Sequence, residues 1–176
     1  MRTSNLNLSP VLQLALAVVS LPLVTRADRT PDVPDTLKVP DGNKVAFHAY
    51  AVGVQIYVWT VTSTGASWVF QAPEAVLFDS DGNVVGLHYA GPTWESNSGS
   101  KVVGQRLAGS TVDASAIPWL LLGAKSTQGS GIFASTTYVQ RVNTSGGIAP
   151  ATPGAAAGDV ARVPYSAQYY FYRAHP

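Results

Sequence analysis

The sequence predicts an all-β, mainly antiparallel single domain, a sandwich or barrel with short helical turns at most. Three observations carry this prediction. Apolar and aromatic residues recur with a period of two in one segment after another, as in Val45, Phe47, Ala49 and again in Tyr165, Ala167, Tyr169, Phe171, which is the spacing of a strand with one buried face. Gly-, Pro-, Asp- and Ser-rich turn signals break these segments at intervals of about 8–12 residues, as in sandwiches and barrels. No alternation of strand and helix patterns occurs, so a parallel βαβ sheet is excluded.

The first element is a targeting segment. Arg2 supplies a positive start, Val11–Val24 (VLQLALAVVSLPLV) is almost wholly apolar, and Thr25-Arg26-Ala27 offers small residues for cleavage after Ala27. The apolar run is shorter than the ~20 residues that span a bilayer and contains Pro22. It therefore reads as a secretory signal over residues 1–27, and the mature chain is expected to be secreted or periplasmic, with no membrane association after cleavage. Cleavage removes Arg2 and Arg26 and no acid. Eleven basic residues become nine against ten acids, and the formal charge of +1 becomes −1.

Residues 28–40 (DRTPDVPDTLKVP) hold three prolines. Proline fixes φ and disfavours helix in the residue before it, so an extended arm is expected, ending as an edge strand near Leu37–Val39. Residues 41–176 form the β domain. In Lys44–Val61 the apolar register changes from Val45, Phe47, Ala49 to Val52, Val54, Ile56, Val58, with Gly53 near the change; an internal Gly of this kind predicts a bulge. Ser67–Gln71 is a short strand. Ala75–Asp79 and Val84–Tyr89 flank Asp81-Gly82, a hairpin signal. Further strands are expected at Lys101–Arg106, Gly131–Val142 and Ser166–Arg173. Ile117–Leu122 (IPWLLL) fits either a buried strand or one helical turn, and Gly146–Gly158 reads as a low-complexity mobile loop.

Composition excludes several functions. Only 12% of residues are charged, against about 25% in an average domain, and no Lys/Arg run exists, so no nucleic-acid partner is expected. There is no Cys, which rules out disulfides and thiolate–metal centres. The three His residues lack ligand spacing, so no metal is assigned, and no cofactor is. Gly129–Ala134 matches G-x-G-x-x-A in form only, because a β-rich segment follows where a dinucleotide site needs a helix. G-x-S-x-G, Walker A and HExxH are absent.

The densest candidate site is Leu87–Ser100 (LHYAGPTWESNSGS), read as a loop holding His88, Tyr89, Trp94 and Glu95. An imidazole and a carboxylate are the groups of acid–base chemistry near neutral pH, so His88 and Glu95 are the catalytic candidates. Tyr89 and Trp94 are ligand-stacking candidates, joined by Tyr170 on the doubly aromatic last segment and by Arg141, a strand cation that needs a partner such as Glu95, Glu74 or Asp159. His48 is a weaker candidate for a composite site. Asn143-Thr-Ser is a glycosylation sequon, relevant only in a eukaryotic source. Two functional readings follow. One is an exported binding or structural module for a small molecule, a glycan or a surface. The other is an extracellular hydrolase or lyase using His88 and Glu95. The low charge favours an uncharged ligand.

Taken in order, GVQIYVW, GLHYAGPTWESNSGSKVVG, AIPWLLL, VQRVNTSGGIAP and VPYSAQYYFY resemble the secreted bacterial and fungal proteins grouped as domain of unknown function family 3455. The resemblance runs from about Val39 to Tyr172. It implies an exported, mostly β domain and no mechanism. Members often carry one Cys after the QIY block and another after GGxAP. This chain has neither, and a looser Gly/Ala-rich loop is implied. Some fungal members bear a malate dehydrogenase label, which the absence of a dinucleotide motif leaves unsupported here.

Overall fold

The structure, a computed structural model, describes residues 30–175, and the predicted signal segment at 1–27 lies outside the described residues. Eight antiparallel strands follow one another in order: β1 (Asn43–Thr62), β2 (Gly65–Phe78), β3 (Val84–Tyr89), β4 (Thr93–Ser96), β5 (Lys101–Ser110), β6 (Trp119–Gln128), β7 (Thr136–Gly146) and β8 (Val160–Ala174). Each strand pairs with the next, and β1 also pairs with β8. The sheet is therefore a closed barrel rather than a sandwich. Closure depends on the length of β1, whose 20 residues meet β8 from Asn43 to Val58 and β2 from Tyr50 to Thr62. A closed sheet has no unpaired edge.

Side-chain alternation and register together define the inward face. On β1 it carries Phe47, Ala49, Ala51, Gly53, Gln55 and Tyr57. Their partners on β8 are Phe171, Tyr169, Ala167, Tyr165, Val163 and Ala161. The inward set continues with Ala75 and Leu77 on β2, His88 on β3, Trp94 on β4, Val102 and Gly104 on β5, Leu120 and Leu122 on β6, and Val139 and Arg141 on β7. One end of the barrel is closed by aromatic rings. Phe133, from the β6–β7 connection, is fully buried and meets Phe171 at 4.6 Å and Phe47 at 6.0 Å, and its N–H donates to the buried Ser100 hydroxyl at 3.3 Å.

Several sequence expectations change. Gly53 is not a bulge. A Cβ there would lie 2.1 Å from the Glu74 carbonyl oxygen, so glycine permits close approach of β1 and β2, and the bulges fall at Val45/Phe47 and Ile56/Tyr57 instead. The apparent register change arises because Val52, Val54, Ile56 and Val58 face outward, with Val52 58% exposed, while Gln55 and Tyr57 continue the inward row and are buried. The segments expected at Ser67–Gln71 and Ala75–Asp79 merge into the single strand β2, which ends at Phe78, and Ile117–Leu122 leads into strand β6. The Asp81-Gly82 hairpin is present, with the Asp79 carboxylate accepting from the N–H groups of Asp81 and Asn83 at 2.9 Å each.

The proline-rich arm is a strap on the outside of the barrel, not an edge strand. Asp35–Leu37 forms a 3-10 turn. Val33 and Leu37 pack with Leu121 and Val142, flanked by Trp119, Tyr138 and Tyr170, and the buried Gln140 amide donates to the Leu37 carbonyl at 2.6 Å. The 147–159 connection, expected to be mobile, is tied down. The Trp59 N–H donates to the Asp159 carbonyl at 2.8 Å and the Trp59 carbonyl accepts from the Gly158 N–H at 2.9 Å, Trp68 Nε1 donates to the Thr152 carbonyl at 2.9 Å, and the Asp159 carboxylate accepts from the N–H groups of Ala155 and Ala156.

Candidate functional site: the barrel cavity

The inward rows do not fill the barrel. Small side chains at Ala49, Ala51, Gly53, Ala75 and Ala167 line one side, and opposite the aromatic plug lies a cavity of about 600 Å³. Its buried wall includes Trp94, His88, Tyr169, Leu122, Pro73 and Ile117, with Leu120, Pro92 and Pro118 half-buried and Phe70 and Arg106 exposed at the mouth. An eight-stranded barrel has room for packed side chains or for one small ligand, and cavities of ~300–1,000 Å³ are the usual size for small-molecule sites.

The segment expected to be a site-bearing loop is mostly a hairpin, β3–β4, and alternation divides its residues between two faces. His88 and Trp94 are opposite neighbours and both point inward; Leu87 and Glu95 are opposite neighbours and both point outward. Outside, Glu95 accepts from the Tyr89 hydroxyl at 2.7 Å and pairs with Lys101 at 3.1 Å. Those two hydrogen bonds, Tyr89 first, hold its carboxyl below the usual range. His88 and Glu95 thus do not converge, and the acid–base pair lacks the shared cleft that catalysis requires. His48 also lies outside, stacked on Tyr170 at 4.1 Å, so it forms no composite site with His88.

His88 is 2% exposed and its ring stacks on Trp94 at 4.4 Å and 10°. Its Nδ1 donates to the Thr93 carbonyl at 2.8 Å. A carbonyl only accepts, so the neutral ring keeps its proton on Nδ1 and leaves Nε2 as an acceptor. Desolvation pushes the His88 pKa down to about 3, against the favourable Thr93 bond and with a smaller contribution from the Arg141 charge. The imidazole is neutral at neutral pH.

Trp94 is seated by glycine. A Cβ at Gly104 would lie 2.9 Å from the indole ring and 3.1 Å from Leu122. The indole Nε1, the Gln55 Nε2 and the hydroxyls of Tyr165 and Tyr169 are buried and make no hydrogen bond of good geometry among the described residues. Tyr165 and Tyr169 are nevertheless close enough to affect each other's acidity, and burial raises both. Such groups are costly to bury unpaired, and Trp94, Gln55 and Tyr169 all border the cavity.

Of the four ligand candidates, the barrel brings Trp94 and Arg141 together. Tyr89 and Tyr170 are on the outer face, at the Glu95 pair and under the strap. Arg141 does not pair with Glu95, Glu74 or Asp159. Its Nε and Nη2 donate to the Pro118 carbonyl at 3.1 and 2.8 Å, while Glu74 binds Arg162 at 2.8 Å. Sequence reasoning missed Gln55, Tyr57, Leu120, Leu122 and Tyr169. The period-two inward row was the available signal for them, but it needs the strand register to become a site.

Among the described residues, no group of three or more His, Cys, Asp or Glu side chains is placed to hold a metal ion. No curated protein matches the chain, and no solved structure does. A family model matches residues 40–173, the strap's end through β8. The chain belongs to the family described as Protein of unknown function (DUF3455).

Proposed function

We propose that this chain is a binding protein for a small, largely apolar molecule held inside the barrel. The observation that carries this reading is the cavity of about 600 Å³ at the open end, walled by aromatic and aliphatic side chains and bordered by buried donors that make no hydrogen bond of good geometry among the described residues. Apolar walls with a few convergent polar groups are what small-molecule sites share. The aromatic plug at the other end gives the cavity a floor, so one molecule enters from the mouth.

The test is uptake of a neutral apolar dye, Nile red, by the purified domain. One-to-one binding with a blue-shifted emission is expected. Leu120→Trp, which adds bulk to the cavity wall, is expected to weaken uptake at least tenfold with the far-ultraviolet spectrum unchanged. Absence of dye binding by the folded wild type counts against the proposal, as does full binding by a folded Leu120→Trp variant. The signal pattern at 1–27 supports an exported carrier; amino-terminal sequencing of the secreted product is expected to begin at Asp28.

A further inference from the structure

The cavity is apolar but not electrically neutral. Arg141 and Arg106 border it, His88 beside them is uncharged, and no Asp or Glu is among its lining residues. Both arginines occupy inward register positions, Arg106 opposite Leu122 on β6 and Arg141 opposite Leu120 on β6 and Tyr169 on β8. Arg106 is at the exposed rim, whereas Arg141 is half-buried in the wall.

Arg141 has no carboxylate within ion-pair distance among the described residues. Each acid whose chemistry would suit it is engaged elsewhere: Glu95 with Lys101, Glu74 with Arg162, and Asp159 with two backbone N–H groups. Its two bonds to the Pro118 carbonyl use Nε and one Nη2 proton. A guanidinium has five N–H donors, so donors remain beyond the Pro118 pair, and the Tyr169 hydroxyl lies close enough to interact with them. A partly desolvated cation without a counter-charge is unfavourable. The field of this cation reaches across the cavity, lowering the pKa of Tyr57, His88, Tyr165 and Tyr169 against the burial effect on the tyrosines.

Resting on the cavity-binding reading, we propose that the natural ligand is an amphipathic monoanion, an apolar body with one carboxylate, whose carboxylate pairs with Arg141. A planar guanidinium matches a carboxylate with two parallel hydrogen bonds. The Trp94 indole N–H and the Tyr169 hydroxyl are the nearby donors left for the ligand's remaining oxygen lone pairs, and the leucine and aromatic walls take the apolar body. Sequence composition pointed to an uncharged ligand because it counts charges over the whole chain. The cavity is lined by a local excess of positive charge.

The experiment compares straight-chain carboxylates from hexanoate to tetradecanoate with the matching alcohols and alkylammonium ions. All are titrated at pH 7.5 as competitors of bound Nile red on the mature domain. For wild type, the best carboxylate is expected to bind at least tenfold more tightly than its alcohol and to exclude the ammonium ion. Arg141→Gln retains a donor for the Pro118 carbonyl; it is expected to lose that tenfold preference of carboxylate over alcohol, and Arg141→Lys to keep part of it. Should Arg141→Gln fail to fold, the wild-type order of carboxylate, alcohol and ammonium decides alone. Equal binding of carboxylate and alcohol overturns the anion anchor while leaving the cavity reading intact, and so does displacement of Nile red by none of the three. If Nile red also fails to bind, both readings fall together.

Discussion

The His88 imidazole and the Trp94 indole lie face to face at 4.4 Å and 10° on the paired strands β3 and β4. The Tyr169 ring meets both edge-on, at 5.0 Å from His88 and 5.3 Å from Trp94, so the three rings pack as one aromatic cluster. The stack forms part of the buried wall of the cavity, and its chemistry depends on His88 staying neutral. A charged imidazolium there would face desolvation and Arg141 together.

That dependence sets a pH signature. The folded His88 pKa is lowered from 6.5 to about 3, so between those values the unfolded chain binds the proton and the folded chain does not. Stability from neutral His88 is complete above about pH 6.5 and falls as pH drops, at a limit of about 1.4 kcal/mol per pH unit. Carboxylates held low by their partners contribute mainly below about pH 4, and His48 and His175 are common to both proteins, so the difference between wild type and His88→Gln from pH 7.5 to 5 isolates His88. Urea unfolding of wild type is expected to show a marked loss over that interval. His88→Gln, uncharged throughout, is expected to show a much flatter profile. Equal slopes in the two proteins would remove His88 from the account.

The tryptophans separate inner wall from outer surface. Trp94 is 1% exposed in the barrel core, so Trp94→Ala is expected to cost about 3–5 kcal/mol. Trp119 is half-buried against the strap cluster, and its replacement by Ala is expected to cost clearly less. Chemical unfolding followed by circular dichroism gives both values. A Trp119 loss as large as that of Trp94 would show that the strap cluster is as much a core as the barrel interior.

The strap itself is open to test. Leu37 is fully buried, and its carbonyl takes the Gln140 amide. Leu37→Ala is expected to destabilise by about 2–5 kcal/mol, with faster amide exchange along β7 than along β3. A melting temperature within error of wild type would mean that residues 30–40 are merely draped on the barrel.

Much of the fold is written in local pattern. The period-two rows of β1 and β8 and the Asp81-Gly82 hairpin follow from side-chain alternation and turn chemistry, which act over a few residues. Closure is not local, since it rests on pairing Asn43 with Ala174, and a period of two suits a sandwich equally well. Of the residues singled out from the sequence, Trp94, His88 and Arg141 line the cavity. Tyr89, Glu95 and Tyr170 fall on the outer face, because neighbours on a strand point to opposite faces, so a dense stretch of chemically active residues is split by the sheet. The same effect hid the cavity in β1: Gln55 and Tyr57 looked like polar interruptions of a valine row, whereas the valines are the outer face.

The 147–159 connection gives the last prediction. Its composition suggests mobility, yet the Asp159 carboxylate gathers the N–H groups of Ala155 and Ala156 at 2.7 and 3.0 Å, and Gly154 fits against Trp59 so closely that a Cβ would come within 2.5 Å of the indole ring. Removing the carboxylate leaves two donors without their acceptor while the Trp59–Asp159 backbone bond stays. Asp159→Ala is therefore expected to raise hydrogen exchange within residues 150–158 about tenfold, in line with the ~1–2 kcal/mol of charge-assisted backbone hydrogen bonds, and to leave exchange in β4 and β5 unchanged. Exchange in that loop already as fast in wild type as in an unstructured peptide would show that these contacts do not hold it, and the loop would return to the mobile state its composition suggests.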